Sequence, residues 1–113
     1  MASEFSLEIA RQGDVAVIVV VGDVDLRTCD QLSTAASGLL NEAQRVVADL
    51  SQVTFLDSSG LSVLIAARQE ATRLARDFRI RAAHGPVARV LQMTGLAEWL
   101  AGDTVQSRPS TVD

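Results

Sequence analysis

Val46-Val47-Ala48-Asp49-Leu50-Ser51-Gln52-Val53-Thr54-Phe55-Leu56-Asp57-Ser58-Ser59-Gly60-Leu61 is the stretch that decides how this 113-residue chain is read. Val46 to Leu50 is a short, largely apolar run with the character of a strand, and Ser51 to Leu56 reads as a connector. A helical pattern then runs from Ser59 to Arg76. Asp57, Ser58, Ser59 and Gly60 therefore stand where a helix begins, and the first N–H groups of a helix have no partner inside it. Side-chain oxygens meet that need, so on local grounds each of the three polar residues could be no more than a cap.

Helical projection separates them. At 100° per residue Val63, Leu64, Ala67, Ala71 and Leu74 share one face, which must lie on a sheet. Ser58 projects nearly opposite, on the side of Ser62, Ile65, Gln69, Thr72 and Arg76, with Leu61 at the edge of the stripe. An accessible hydroxyl beside an apolar Ile65 suits docking by a kinase or another protein, and the alternative is a neighbouring helix that covers Ile65. A phosphate on Ser58 would be compatible with the fold, because a helix N-terminus offers N–H donors and the positive end of its dipole. The adjacent Asp57 would oppose it. The added charge would therefore act on whatever docks there, through repulsion and desolvation of a dianion.

Outward from this segment, strands and helices alternate. Phe5, Leu7 and Ile9 alternate with Ser6 and Glu8, the pattern of an outer strand. Val15 to Val21 is continuous and rich in β-branched residues, as for a central strand buried on both faces. Gly22-Asp23-Val24-Asp25 breaks that run, and Thr28 or Asp30 can cap a helix carrying Leu32, Ala35, Ala36, Leu39 and Leu40. Phe78 to Ala82 alternates as a fourth strand. Gly85-Pro86 opens a helix from Val87 to about Met93, Gly95 ends it, and Leu96 to Leu100 makes a last helical turn. The order implies an α/β sheet domain over residues 1–106. The segment Ser107 to Asp113 has no apolar periodicity and is expected to be a flexible tail.

Three landmarks resemble the STAS-domain family, specifically the bacterial anti-sigma factor antagonists of partner-switching systems. The first is the strand, connector and Asp57-Ser58-Ser59-Gly60-Leu61 unit; the others are Gly22-Asp23-Val24-Asp25 and Met93-Thr94-Gly95-Leu96, in the same order. The resemblance implies a STAS-like mixed sheet of four to five strands with helices packed against it. It also implies a partner, an anti-sigma factor with serine kinase activity, that binds the unmodified protein and phosphorylates Ser58, with a serine phosphatase to reverse the step. Partner-binding residues carried over are Asp23, Asp25, Asp57, Ser58, Ser59, Gly60, Leu61, Ser62 and Ile65. Asp23 and Asp25 are expected near the Ser58 end, where basic groups of the kinase could meet them, and turn chemistry is their plainer role.

Composition narrows the alternatives. A net charge of −4 opposes binding to nucleic acid or anionic membrane surfaces. Cys29 and His84 are the only cysteine and histidine, so neither a disulfide framework, a thiolate cluster nor a histidine metal site is expected, and no cofactor is implied. No phosphate-cradling G-x-x-x-x-G-K-[ST] loop is present, and Asp57-Ser58-Ser59-Gly60 is not a G-x-S-x-G elbow. The chain reads as a substrate of enzymes rather than an enzyme. The apolar run is too short for a bilayer and Met1-Ala2-Ser3-Glu4 lacks the basic start of a secretory signal, so a cytoplasmic location is expected. Arg68, Arg73, Arg76, Arg79 and Arg81 read as a solvated surface spread over several directions, Trp99 as a plug closing the core. The main rival is a non-switching STAS binding module, such as an accessory subunit of a transporter ATPase, in which Ser58 only caps.

Overall fold

The valine-rich run from Val15 lies in the interior of a four-stranded sheet in the computed structural model, which describes residues 4–102. Strand β1 (Ser6–Gln12) pairs antiparallel with β2 (Val15–Val24), and β3 (Arg45–Leu56) and β4 (Asp77–Arg81) follow in parallel, in the spatial order β1-β2-β3-β4. The mixed sheet expected from the sequence is therefore present, with four strands among the described residues. Among the described residues the helices are α1 (Cys29–Leu40), α2 (Ser58–Arg73), α3 (Gly85–Met93) and α4 (Ala97–Ala101). The tail expected at residues 107–113 lies outside the described residues.

One core joins the helices to the sheet. Ala16, Ile18 and Val20 of β2, Val46, Ala48 and Leu50 of β3, and Phe78 and Ile80 of β4 meet Leu32, Leu64, Leu91 and Leu100 of the four helices. Burial along β2 alternates strictly, and Val15, Val17, Val19 and Val21 are only half-buried. This corrects the expectation of a strand buried on both faces: β2 is interior to the sheet, but the helices of the described core pack on one side of it. The valines on the other side suit the extended backbone, which needs no second layer.

Three further boundaries differ from the expectation. The segment read as a connector, Ser51 to Leu56, is the second half of β3. It pairs with the end of β2, which itself runs past Gly22 to Val24. Register shifts between Val19 and Val21 and between Gly22 and Asp23 disrupt the alternation that would have marked a strand. Helix α2 stops at Arg73 rather than Arg76. The Arg76 N–H bonds the Ala71 carbonyl at 2.7 Å and the Ala75 N–H bonds that of Thr72 at 3.1 Å, with Ala75 at φ +56°. These two bonds close the helix in a Schellman turn whose left-handed position holds alanine instead of the favoured glycine.

The arginines also depart from the expected scatter. Arg68 and Arg79 converge with Arg45 on one carboxylate, Asp77, at 3.3, 2.7 and 2.8 Å. Arg68 also donates to the Phe78 carbonyl at 2.6 Å and lies over the half-buried Trp99 ring, tying α2 to β4 and α4. Arg76 donates to the Ala43 carbonyl, Arg73 pairs with Glu70 and Arg81 with Asp49. Arg73 stays on the solvated surface within α2 as expected, whereas Arg68, Arg76, Arg81 and, through the shared Asp77, Arg79 tie elements together, and the fully buried Leu64 fixes α2 on the sheet. Truncating Leu64 to alanine would cost about 2–5 kcal/mol.

Candidate functional site

Asp57 leaves β3 in an extended conformation and starts α2. Its Oδ1 accepts the Gly60 N–H at 3.0 Å and its carbonyl accepts that of Leu61 at 2.9 Å. Of the three polar residues at this helix start, Asp57 therefore does the capping. Its own N–H donates to the Val24 carbonyl at 3.2 Å, which ties the helix start to the end of β2. Ser58, the first residue of α2, is exposed, and its hydroxyl has no hydrogen-bond partner among the described residues; Ser59 is half-buried.

Gly60 is set by contact. A Cβ at this position would stand 2.7 Å from Leu56 Cδ1, from Val24 Cγ1 and from the Val24 oxygen. Only glycine allows the first turn of α2 to lie this close to the paired ends of β2 and β3. Gly22 serves the same corner from the other side. At φ +97° it supports the register shift before Asp23, and a Cβ there would meet the Glu4 carbonyl oxygen at 2.6 Å.

The loop after β2 is held by its own side chains. Thr28, which is buried, donates its hydroxyl to the Asp23 carbonyl at 2.8 Å and accepts the Asp25 N–H at 3.0 Å. This corrects the expectation that Thr28 or Asp30 caps α1. Thr28 does occupy the cap position, but its hydroxyl is used to close the preceding turn and makes no cap bond. Asp23 Oδ1 accepts the Thr54 hydroxyl at 2.5 Å. Asp25 accepts the Arg27 N–H at 2.9 Å and its guanidinium at 3.1 Å. Burial pushes the Asp25 carboxyl up, but the bonds from Arg27 outweigh it and hold the group below the usual carboxylate range.

The structure thus brings Asp23, Asp25, Asp57, Ser58, Ser59, Gly60 and Leu61 to one end of the sheet, where Val24 is bonded to Asp57 and lies against Gly60. Ser62 is exposed on the next turn of α2, and Ile65 beyond it is half-buried rather than fully on the surface. Two apolar residues join this end without having been singled out in the sequence. Leu26 is 76% exposed in the loop after β2, and Phe55 is 48% exposed where it pairs with Asp23. Leu26 could have been found as an apolar residue inside the polar run Asp25 to Asp30. Phe55 had no signal once its segment was read as a connector. His84, the sole histidine, is occupied with the Ser51 carbonyl at 2.7 Å, and Cys29 is buried with its Sγ donating to the Leu26 carbonyl. Among the described residues no three His, Cys, Asp or Glu side chains are grouped to hold a metal ion.

The model of the family described as "Mlab, STAS domain" matches residues 7–102, nearly the whole of the described chain. The chain belongs to the STAS family. Solved structures agree with the assignment. An anti-sigma factor antagonist from Mycobacterium paratuberculosis is 27% identical, with a TM-score of 0.72 over 86% of this chain and 83% of the other. The anti-sigma factor antagonist SpoIIAA in its unphosphorylated form shares the fold at 20% identity, with a TM-score of 0.71 over 97% of this chain and all of the other. The Bacillus cell fate determinant SpoIIAA in its phosphorylated form does so at 21% identity, with a TM-score of 0.67 over 85% and 87%. Within this STAS domain no helix among the described residues is long and apolar enough to cross a membrane.

Proposed function

We propose that this STAS protein is an anti-sigma factor antagonist that works by partner switching in the cytoplasm. In its unmodified form it binds an anti-sigma factor that is also a serine kinase, and so frees a sigma factor. The observation that carries the reading is the division of labour at α2: Asp57 caps the helix, which leaves the exposed Ser58 hydroxyl without a bond among the described residues. The likeness to anti-sigma factor antagonists, one of them at 27% identity, supports it.

In the modification step the Ser58 Oγ attacks the γ-phosphorus of ATP. The bond from that phosphorus to the bridging oxygen breaks, ADP leaves, and the hydroxyl proton passes to a base on the kinase. A serine phosphatase returns the hydroxyl by hydrolysis. The phosphate brings about −1.5 to −2 charges to a surface that already holds Asp23, Asp25 and Asp57, and a partner that tolerates the neutral serine must then desolvate a dianion. Docking weakens while the fold is kept.

A second reading is a non-switching binding module, such as an accessory subunit of a transporter ATPase. It is favoured by the exposed Leu26 and Phe55, which can anchor a partner with no phosphate involved. Incubation with ATP and the kinase captured from the same cells, followed by intact-mass measurement, separates the two. The switch requires the mass of one added phosphate, absent in Ser58→Ala. An unchanged mass with a partner that binds productively would leave only the second reading.

A further inference from the structure

The two segments that build the Ser58 end, residues 22–30 and 54–62, contain four carboxylates, Asp23, Asp25, Asp30 and Asp57, and a single basic residue, Arg27. We propose that Arg27 is an exchangeable clamp: it pairs with Asp25 in the unmodified protein and moves to the phosphate when Ser58 is phosphorylated, leaving Asp25 without its guanidinium partner. The inference rests on the reading of Ser58 as the modified residue.

Three observations support the exchange. The ion pair is open on its arginine side, since Arg27 Nη2 meets Asp25 Oδ2 at 3.1 Å with the arginine side chain 71% exposed, while the aspartate side chain is only 16% exposed. The turn does not depend on that pair. Asp25 Oδ1 holds the Arg27 N–H, and Thr28 binds both Asp23 and Asp25, so the guanidinium can leave while the backbone stays in place. The turn also stands against the start of α2. Val24 accepts the Asp57 N–H and leaves no room for a Cβ on Gly60, and Arg27 follows three residues later in a turn that closes back onto Asp23. A phosphate dianion with three free oxygens attracts a forked donor more strongly than a carboxylate that already accepts other N–H and O–H groups. The consequence is a change of charge pairing: the dianion is partly neutralised, and Asp25 loses its counter-charge.

The test installs phosphoserine at position 58 during translation, by suppression of an amber codon, so it needs no kinase. Phosphorus NMR then follows the second ionisation of the phosphate, ordinarily near pH 6. In the otherwise native chain the midpoint is expected about half a pH unit lower than in Arg27→Ala, because the guanidinium favours the dianion. Asp23, Asp30 and Asp57 act on the phosphate in both chains and cancel in the comparison. Equal midpoints overturn the proposal. Carbon NMR of the Asp25 carboxyl gives a second reading. With Arg27 gone to the phosphate, the rise in the Asp25 midpoint on phosphorylation should be larger in the native chain than in Arg27→Ala, where only repulsion by the dianion acts, and equal rises would also overturn the exchange. A finding that no kinase modifies Ser58 would sink the switch and leave both titrations to be judged on their own result.

Discussion

Gly60 and Val24 touch so closely that a methyl group on the glycine would lie 2.7 Å from both the Val24 oxygen and its Cγ1. Neither atom can retreat easily, because the Val24 oxygen accepts the Asp57 N–H and the Val24 side chain is fully buried. Gly60→Ala is therefore expected to lift the first turn of α2 from the sheet and to cost about 1–3 kcal/mol, read as a lower urea midpoint. A variant as stable as the native protein would mean that this contact is not tight in solution.

The capping role of Asp57 can be separated from its charge. Asp57→Ala should lose about 1 kcal/mol of stability, whereas Asp57→Asn keeps an oxygen for the Gly60 N–H and should lose less than half of that. Thermal unfolding of the two variants side by side checks it. Equal losses would place the contribution in the charge instead of the cap.

Ser58→Asp tests the docking surface. The aspartate stands at an exposed helix start where acidic groups are favoured, so the melting temperature should hold or rise slightly. Calorimetric affinity for the partner that binds unmodified protein should fall at least tenfold, about 1.4 kcal/mol. Undiminished affinity would remove Ser58 from the interface.

Ala75 occupies a left-handed position that closes α2, at φ +56°. Ala75→Gly relieves that strain at the cost of a more flexible unfolded chain, for a net gain of roughly 0.5–1 kcal/mol in unfolding free energy. Loss of stability in this variant would mean that the turn opens in solution.

Asp49 predicts the response to acid. Burial pushes its carboxyl up, but the bonds from Ser51 and the Arg81 guanidinium more than offset this and hold it below the usual carboxylate range. In the unfolded chain an aspartate titrates at about 3.9. The folded protein thus binds this proton more weakly than the unfolded one. Its stabilisation is present above about pH 4 and is lost as the pH falls through the folded value. Asp25 acts in the same direction. The loss of unfolding free energy between pH 6 and pH 3, measured by urea titration, should be smaller in Asp49→Asn than in the native chain, by about 1 kcal/mol or less since Arg81 is half exposed.

The sequence carried the architecture further than it carried the surface. Helix α2 was legible because Leu64, Ala67 and Ala71 recur at helical spacing and are buried as a set. The second half of β3 was not, because its pairing with β2 shifts register twice and no single alternation survives along it. Phe55, on that half-strand, was lost for the same reason. Thr28 was placed at the right position with the wrong bond, since whether a hydroxyl turns forward to a helix or back to a turn is decided by the loop it closes. The convergence of Arg45, Arg68 and Arg79 on Asp77 joins α2 to two strands, and no local pattern reports a meeting of that kind.

Gly22 and Gly60 have a consequence for genetics. Each lacks room for a side chain, one against the Glu4 backbone and the other against Val24, on opposite sides of the corner that presents Asp23 and Ser58. A random screen for clones that no longer hold the partner will return substitutions at both, alongside those at Ser58. Such clones map the supports of the surface, and suppressors that restore binding should arise in the residues that crowd the glycines, Leu56 and Val24 among them, and not on the partner.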